Sequence, residues 1–168
     1  VAAERARDQV ARGAQFQEKQ LAGIDARTMG VRLRATLLEK GRAASERAKL
    51  SPDEVDTRVA EFEKLIAGSD FTGMALETLV DNVFKPALEA TETQFADDPL
   101  VKARLLQTLA STLLELGLIG TAAAPQNAAL AIRRDLLGDD HPDTLASLGA
   151  FGTLLRTQGK LTEAEAVC

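Results

Sequence analysis

The sequence is poor in several residue types on which many functions depend. Among 168 residues there is no tryptophan, no tyrosine and a single cysteine, Cys168. One thiol excludes an internal disulfide and any metal site built from several cysteines. No run of about 18 apolar residues occurs, so we expect no membrane-spanning helix. Because phenylalanine is the only aromatic residue, the core must be built from leucine, alanine, valine and isoleucine, which suits closely packed helices.

Charge is distributed unevenly along the chain. The net charge is −5, yet residues 1–50 hold 11 lysines and arginines against 6 aspartates and glutamates, which leaves −10 for residues 51–168. The basic residues are mixed with acidic ones, and no set of aromatic residues lies among them to stack on bases. This pattern is typical of a solvated helix face, and we expect no nucleic-acid partner.

The first fifty residues read as two helices joined by a turn. A charged helix is predicted for residues 1–20 and a second helix for residues 31–50. Between them, residues 21–30 contain Gly23 and Gly30, and we expect a turn there.

The middle of the chain carries clear helix signals. Residues 51–54 read Ser-Pro-Asp-Glu, which matches a capping box with proline at the first helical position, so a helix is predicted as far as Ile66. A short connection is expected over residues 71–73. A helical pattern then spans residues 74–95, and Pro86 should bend it or split it into two pieces.

A pattern returns every 42 residues in the last part of the chain. The pair Asp97-Asp98 recurs as Asp139-Asp140. Further pairs share this offset: Leu88 and Leu130, Leu106 and Leu148, Leu113 and Leu155, Gly117 and Gly159, Ala122 and Ala164. A fixed offset of this length indicates a repeat array, in which one helical unit stacks on its own copies.

The repeat predicts two helical hairpins, of which the second is incomplete. The first pairs a helix A over residues 100–116 with a helix B over residues 121–137. Pro125 falls in the first turn of this helix B, where a proline costs little. The second hairpin pairs a helix A over residues 143–158 with a truncated helix B that the Thr162 hydroxyl can cap.

The spacing of large and small side chains in these helices resembles tetratricopeptide repeats of the 42-residue kind typified by kinesin light chain. The link ALAIRRDLLGDDHPDTLASL, residues 129–148, is similar to the segment between repeats in that family. Large apolar residues stand at the family's helix-A positions: Leu106, Leu109, Leu113, Leu148, Phe151 and Leu155. Small residues stand where paired helices touch: Ala110, Ala122, Ala129, Gly152 and Ala164.

This resemblance implies an all-α fold, a tetratricopeptide-like antiparallel helical solenoid with an irregular helical N-terminal region. We divide the chain into three parts on this basis. Residues 1–50 are a charged helical N-terminal segment, residues 51–96 a helical cap or degenerate repeat, and residues 97–168 tetratricopeptide repeats, the last one truncated.

The resemblance also implies a function without chemistry, a protein–protein interaction or scaffold module. A protein or peptide segment would lie along the concave face that the A helices line. Six side chains are the candidate partner-binding residues: Arg104, Gln107, Ser111, Leu114, Thr153 and Arg156. Relatives often place asparagines where this chain has Gly149-Ala150, and these two residues offer no side chain that can form a hydrogen bond.

Two other functions stay open at this stage. One is a structural spacer that associates with itself. The other is an all-α enzyme that uses the aspartates around His141, the only histidine in the chain. The repeated Asp-Asp pairs favour a structural interpretation, because acidic groups suit helix N-termini and an active site has no reason to recur at the repeat offset. We therefore predict no catalytic residue, no metal site and no cofactor.

Residues 1–70 have a weaker likeness to helical segments that precede such repeats in large bacterial signalling proteins. Some of those carry a serine/threonine kinase domain and a membrane span. The likeness implies that this chain is a soluble fragment, cytoplasmic or extracytoplasmic, of a membrane-anchored bacterial protein and part of its regulatory apparatus. The chain itself holds no glycine-rich phosphate loop with its lysine, and no His-Arg-Asp or Asp-Phe-Gly triplet.

Overall fold

The computed structural model of the protein describes residues 24–167, so the helix predicted for residues 1–20 and Cys168 lie outside the described residues. The described residues form α-helices joined by short turns, and no strand occurs among them. The expected all-α fold class is confirmed. The chain divides into two compact units, one over Asp25–Asp81 and one that includes residues 82–167. Within the described part, every helix is too short or too polar to cross a lipid bilayer.

Three helices form the unit over Asp25–Asp81: α1 (Ala26–Arg47), α2 (Pro52–Ile66) and α3 (Phe71–Leu79). Helix α1 packs against both α2 and α3. Two surface ion pairs join α1 to α2, Arg34 with Glu63 at 2.7 Å and Arg42 with Asp56 at 2.8 Å. Arg34, near the start of α1, pairs with Glu63 near the end of α2, and Arg42, further along α1, pairs with Asp56 near the start of α2. The two helices therefore run antiparallel.

The turn predicted over residues 21–30 is wrong in its second half. Asp25 caps α1 by accepting a hydrogen bond from the Thr28 backbone N–H at 3.0 Å, and the helix begins at Ala26. Gly30 is a buried helical residue. A Cβ atom at Gly30 would lie 2.8 Å from the backbone nitrogen of Thr72 and 2.9 Å from the carbonyl carbon of Phe71. This glycine therefore permits close packing of α1 against α3.

The capping box at the start of α2 is confirmed. The Ser51 hydroxyl accepts from the Glu54 backbone N–H at 3.4 Å, and the Ser51 backbone N–H donates to Glu54 Oε2 at 2.8 Å. These bonds from the backbone N–H and then from the hydroxyl of Ser51 lower the pKa of Glu54. Val55, in the first turn of α2, is buried.

The connection predicted over residues 71–73 is helical. Asp70 caps α3 by accepting from the Gly73 backbone N–H at 2.8 Å, so the helix begins at Phe71. Phe71 and Ala75 are buried, which explains the early start, because helical backbone carries both side chains into the core. The cap and the buried face together stabilise the helix by more than Gly73 destabilises it, since a glycine costs a helix about 1 kcal/mol.

The helical pattern over residues 74–95 is split, as Pro86 predicted. A π-helical segment over Val80–Phe84 follows α3, and α4 (Lys85–Gln94) begins directly after it. Pro86 is the second residue of α4, and it has no N–H to donate to the π-helical turn that precedes it. Phe84, at the junction of the two segments, is fully buried.

The repeat region contains four helices: α5 (Pro99–Glu115), α6 (Ile119–Leu137), α7 (Pro142–Thr157) and α8 (Leu161–Val167). They form the two predicted hairpins, with α5 against α6 and α7 against α8, and α6 also packs against α7. The turns inside the hairpins pass through Gly117 (φ +77°) and Gly159 (φ +76°). Only glycine adopts this left-handed backbone without strain, so both glycines stand where the repeat requires them.

The core of the repeats consists of small and branched apolar side chains, most of them from the positions that the repeat pattern marked: Leu106, Leu109, Ala110, Leu113, Ala122, Ala129, Leu130, Leu155 and Ala164. Ala103 and Leu154 are buried as well, at positions that the pattern did not mark. Leu148 and Phe151 are half-buried rather than buried. Pro125 is the seventh residue of α6, well beyond the first turn where we expected it, and it is buried. Pro125 has no N–H to donate to the carbonyl four residues earlier, which costs the helix a hydrogen bond. Helix α6 nevertheless continues through it.

The A helices of the two repeats, α5 and α7, start 43 residues apart and end 42 residues apart, whereas the B helices, α6 and α8, start 42 residues apart. Asp98 caps α5 by accepting from the Val101 backbone N–H at 3.3 Å. The cap of α7 is His141, so the helix begins at Pro142, one residue before the predicted start at residue 143. Likewise Thr162 lies inside the first turn of α8 and does not precede it.

Candidate functional site

A groove lies between α5 and α7, and α6 forms its floor. It contains a pocket of about 290 Å³ that all three helices line. Ser111 and Leu114 stand on the α5 side, and Ala150 and Thr153 on the α7 side. Ala122 lies at the base. Ala150 and Thr153 are small, which leaves space between α5 and α7.

The structure brings together three of the six predicted partner-binding residues. Ser111, Leu114 and Thr153 line the same pocket. Arg104 and Arg156 are exposed and do not line it. Arg156 folds back on its own helix, where its Nη2 donates to the Thr153 hydroxyl at 3.1 Å.

The sixth residue, Gln107, takes part in a polar cluster that the sequence did not reveal. Its Nε2 donates to Gln126 Oε1 at 2.7 Å, and Gln126 Nε2 donates back to Gln107 Oε1 at 3.2 Å. Gln126 Nε2 also donates to the Ser147 carbonyl at 3.0 Å, and the Ser147 hydroxyl donates to Gln107 Oε1 at 2.9 Å. The cluster thereby joins α5, α6 and α7.

These polar groups satisfy one another although they are removed from water. Gln126 is 4% exposed and Ser147 is 0% exposed. A buried amide or hydroxyl without a partner costs about 1–3 kcal/mol. Here Gln107 Oε1 accepts two hydrogen bonds and Gln126 Nε2 donates two, which is the full capacity of each atom. The cluster therefore holds the three helices in one arrangement at little cost.

Arg133, two helical turns after Gln126 on α6, also joins the cluster. Its Nη1 donates to the Ser147 hydroxyl and to the backbone carbonyl of Asp143 at 3.1 Å. Burial lowers the pKa of Arg133, the charge of Asp143 raises it, and the charge of Arg104 lowers it again. The guanidinium is thus partly withdrawn from water, and the positive charge of Arg104 opposes its protonation.

The sequence contains a signal that could have found the floor of the groove. Gln126 and Arg133 are seven residues apart, and Ala122 and Ala129 lie on the same side of α6 at helical spacing. Both alanines are buried, and Gln126 and Arg133 each follow one of them by four residues, so these two polar side chains share the inward face. Ser147 gives no such signal, because it follows an exposed alanine and precedes a half-buried leucine.

The residues considered for chemistry lie at helix ends, where Asp143 Oδ2 is 4.0 Å from His141 Nδ1. His141 Nδ1 accepts from the Asp143 backbone N–H at 3.1 Å and so caps α7. Asp98 caps α5, and Asp139 forms an ion pair with Arg134 at 2.9 Å. Across residues 24–167 there is no group of three or more histidine, cysteine, aspartate or glutamate side chains placed to hold a metal ion.

Comparison with known proteins agrees with the geometry. The family model described as Tetratricopeptide repeat matches residues 101–167, which run from the start of α5 to the end of α8. Such repeats support a role in protein–protein interaction or as a scaffold. Searches among curated proteins and among solved structures find no significant match to this chain.

Proposed function

From the tetratricopeptide match over residues 101–167, we propose that this chain is a non-catalytic interaction module that holds a segment of a partner protein in the groove between α5 and α7. The observation that carries the proposal is the pocket between these two helices, which lies inside the matched region. Ligand pockets for drug-sized molecules start at about 300 Å³. A pocket of about 290 Å³ therefore suits a single anchoring side chain of a longer segment.

The walls of the groove support binding of an extended chain. A Cβ atom at Gly149 would meet no atom within 4 Å, and Ala146 and Gly149 are exposed on α7. A partner backbone can approach such a surface closely. On the opposite wall, Ser111 offers a hydroxyl and Leu114 an apolar contact beside the pocket. The groove therefore offers one pocket for an anchoring side chain of the partner and an uncluttered surface for the partner residues on either side of it.

The experiment compares two substitutions of alanine by tryptophan in the full chain. Peptides are first selected from a random library on the wild-type protein. Ala150→Trp fills the pocket, and we expect it to weaken binding at least tenfold, or about 1.4 kcal/mol. Ala131→Trp, at an exposed position of α6 away from the pocket, serves as the control and should leave the affinity unchanged. Equal effects of the two substitutions would refute binding in this groove.

We also propose a finer context, in which the repeats are of the 42-residue kind and serve the regulatory part of a bacterial signalling kinase. The repeat offset and the likeness of residues 1–70 to segments in such proteins support it. Sequencing the complete reading frame tests this proposal. A kinase domain encoded in the same frame is the expected result, and a frame without one contradicts it.

Self-association is a second candidate, and exposed leucines in the repeat region favour it. Leu136, Leu145 and Leu161 are each more than half exposed. Association of two copies through these leucines would remove their apolar surface from water. Light scattering at high concentration distinguishes this candidate, because a chain that stays monomeric does not act as a self-assembling spacer.

A further inference from the structure

The hairpin that α1 and α2 form has one open, partly apolar side, which lies outside the residues matched by the family model. We propose that this side is a dimerisation surface, against which the α1–α2 hairpin of a second copy of the chain packs as an antiparallel four-helix bundle. In this bundle α1 of each copy lies against α2 of the other. The contact is independent of partner binding between α5 and α7.

An open cavity of about 400 Å³ lies between α1 and α2, and both helices line it with mostly small or apolar side chains: Gly41, Ala44, Ser45, Arg58, Val59 and Phe62. The Ser45 hydroxyl donates to the Gly41 carbonyl at 3.0 Å, so its hydrogen is already used. Val59 and Phe62 are half-buried. Apolar side chains from a second copy would remove the rest of their surface from water.

Two stripes of exposed side chains border this cavity. Within a stripe the residues are three or four positions apart, so they lie along one face of the helix. The α1 stripe consists of Lys40, Ala44 and Arg47, and the α2 stripe of Glu54, Arg58, Glu61 and Leu65. Ala44 and Arg58 also line the cavity, which places the stripes at its two edges. The close contact of α1 with α3 is at Gly30, about 15 Å along the helix before Lys40.

Opposite charges stand at the same heights in the two stripes. Across the hairpin Gly41 faces Phe62, whose Cδ1 would lie 3.3 Å from a Cβ added at the glycine. Lys40 and Glu61 directly precede these two residues and therefore share one height. A second copy related by a two-fold axis parallel to the helices presents its α2 stripe to the α1 stripe at unchanged heights. Lys40 of each copy then faces Glu61 of the other.

The remaining members of the stripes match in the same arrangement. Arg47 and Glu54 each lie seven residues closer to the turn than the first pair, about 10 Å along each helix, so they face each other as well. Arg58 then faces Ala44, whose methyl group leaves room for the guanidinium.

The charged members of the stripes form no ion pairs inside the described chain. Glu54 uses only Oε2 in the capping box and keeps Oε1 free. Pairs between the copies would fix their register and direction, because charge complementarity gives specificity more than affinity. Apolar surface supplies most of the affinity, and it includes Leu65, which is 79% exposed.

Sedimentation equilibrium of the full chain measures the dimer dissociation constant. We expect a dimer that forms with increasing concentration. Lys40→Glu and Glu61→Lys should each weaken it by about tenfold or more, because each substitution places like charges opposite one another in both symmetric contacts. A wild-type chain that stays monomeric at its highest soluble concentration would overturn the proposal.

Mixing the two variants gives the decisive measurement. In a dimer of one Lys40→Glu chain and one Glu61→Lys chain, both substituted positions face a charge of the opposite sign. The mixture should therefore dimerise nearly as well as the wild type, although each variant alone does not. Only a contact between copies can be restored by mixing, so a mixture that stays monomeric would refute this pairing.

Glu39→Lys is the matched control, because it makes the same charge change as Glu61→Lys. Glu39 is exposed and lies five residues before Ala44, about 140° away around α1. It should leave the dissociation constant nearly unchanged, and a loss equal to that of Glu61→Lys would indicate a general charge effect and refute the surface. A dimer that withstands both Lys40→Glu and Glu61→Lys would assign self-association to the exposed leucines of the repeats instead. Ala150→Trp, which tests the groove, should not affect the dimer.

Discussion

The side-chain amides of Gln107 and Gln126 bind each other reciprocally, through Nε2–Oε1 distances of 2.7 and 3.2 Å. The pair joins α5 to α6 inside the first hairpin, and Ser147 brings α7 to the same two amides. The relative position of α5 and α7, which form the walls of the groove, therefore depends on a few polar atoms as well as on leucine packing.

Gln126→Leu should destabilise the protein by about 1–3 kcal/mol, because it removes the buried partner of the Gln107 amide and of the Ser147 backbone carbonyl. Urea denaturation followed by circular dichroism measures the change. Asn127→Leu, at the neighbouring exposed position of α6, is the control and should shift stability by less than about 0.5 kcal/mol. A similar effect of the two substitutions would contradict the role assigned to the amide pair.

Gly30→Ala should destabilise the unit over Asp25–Asp81. The added Cβ would lie 2.8 Å from the Thr72 backbone nitrogen, and backbone cannot move aside as a side chain can. Overpacking of this kind costs about 1–3 kcal/mol, against a gain of about 1 kcal/mol in helix propensity. In the control Gly120→Ala no atom lies within 4 Å of the new Cβ, so stability should stay equal or rise. Thermal unfolding of both variants measures the difference, and a stabilised Gly30→Ala would be incompatible with close packing of α1 on α3.

The contribution of the Glu54 cap should depend on pH. Hydrogen bonds from Ser51 lower the pKa of Glu54 below its ordinary value of 4.5 in the folded protein. A lowered folded-state pKa means that the stabilisation is complete above about pH 4.5 and is lost as the pH falls through the folded value. Glu54→Gln keeps an acceptor but cannot titrate, so its stability relative to wild type should be constant above pH 5 and improve below pH 4. Urea denaturation between pH 3 and pH 7 checks this, and parallel curves would disprove it.

His141→Ala should weaken the start of α7 by about 0.5–2 kcal/mol, because the Asp143 backbone N–H loses its acceptor. His141→Asn replaces one capping side chain by another and should recover most of the loss. Hydrogen exchange at the amides of Asp143 and Thr144 localises the effect. Unchanged exchange in His141→Ala would mean that the histidine does not cap the helix.

The helices, hairpins and repeat could be predicted from the sequence because their signals are local. The capping box at Ser51, the split at Pro86 and the turn glycines Gly117 and Gly159 each act within a few residues of where they stand. The alternation of large and small side chains along a helix likewise shows which face is buried before any partner helix is known. These features determine an all-α repeat.

The tertiary structure alone decided what lies between the helices. Gly30 reads as a turn residue until α3, about forty residues later, approaches it. From the sequence, Gln107 was a candidate partner-binding side chain, but in the structure its carbonyl oxygen accepts hydrogen bonds from Gln126 and Ser147. Such contacts join residues that are distant in the chain, and their hydrogen-bond geometry depends on helix spacing to within a few tenths of an ångström. Hydrophobic periodicity selects the face of a helix but does not determine that spacing, which is why the chemistry of the groove emerged only from the packed helices.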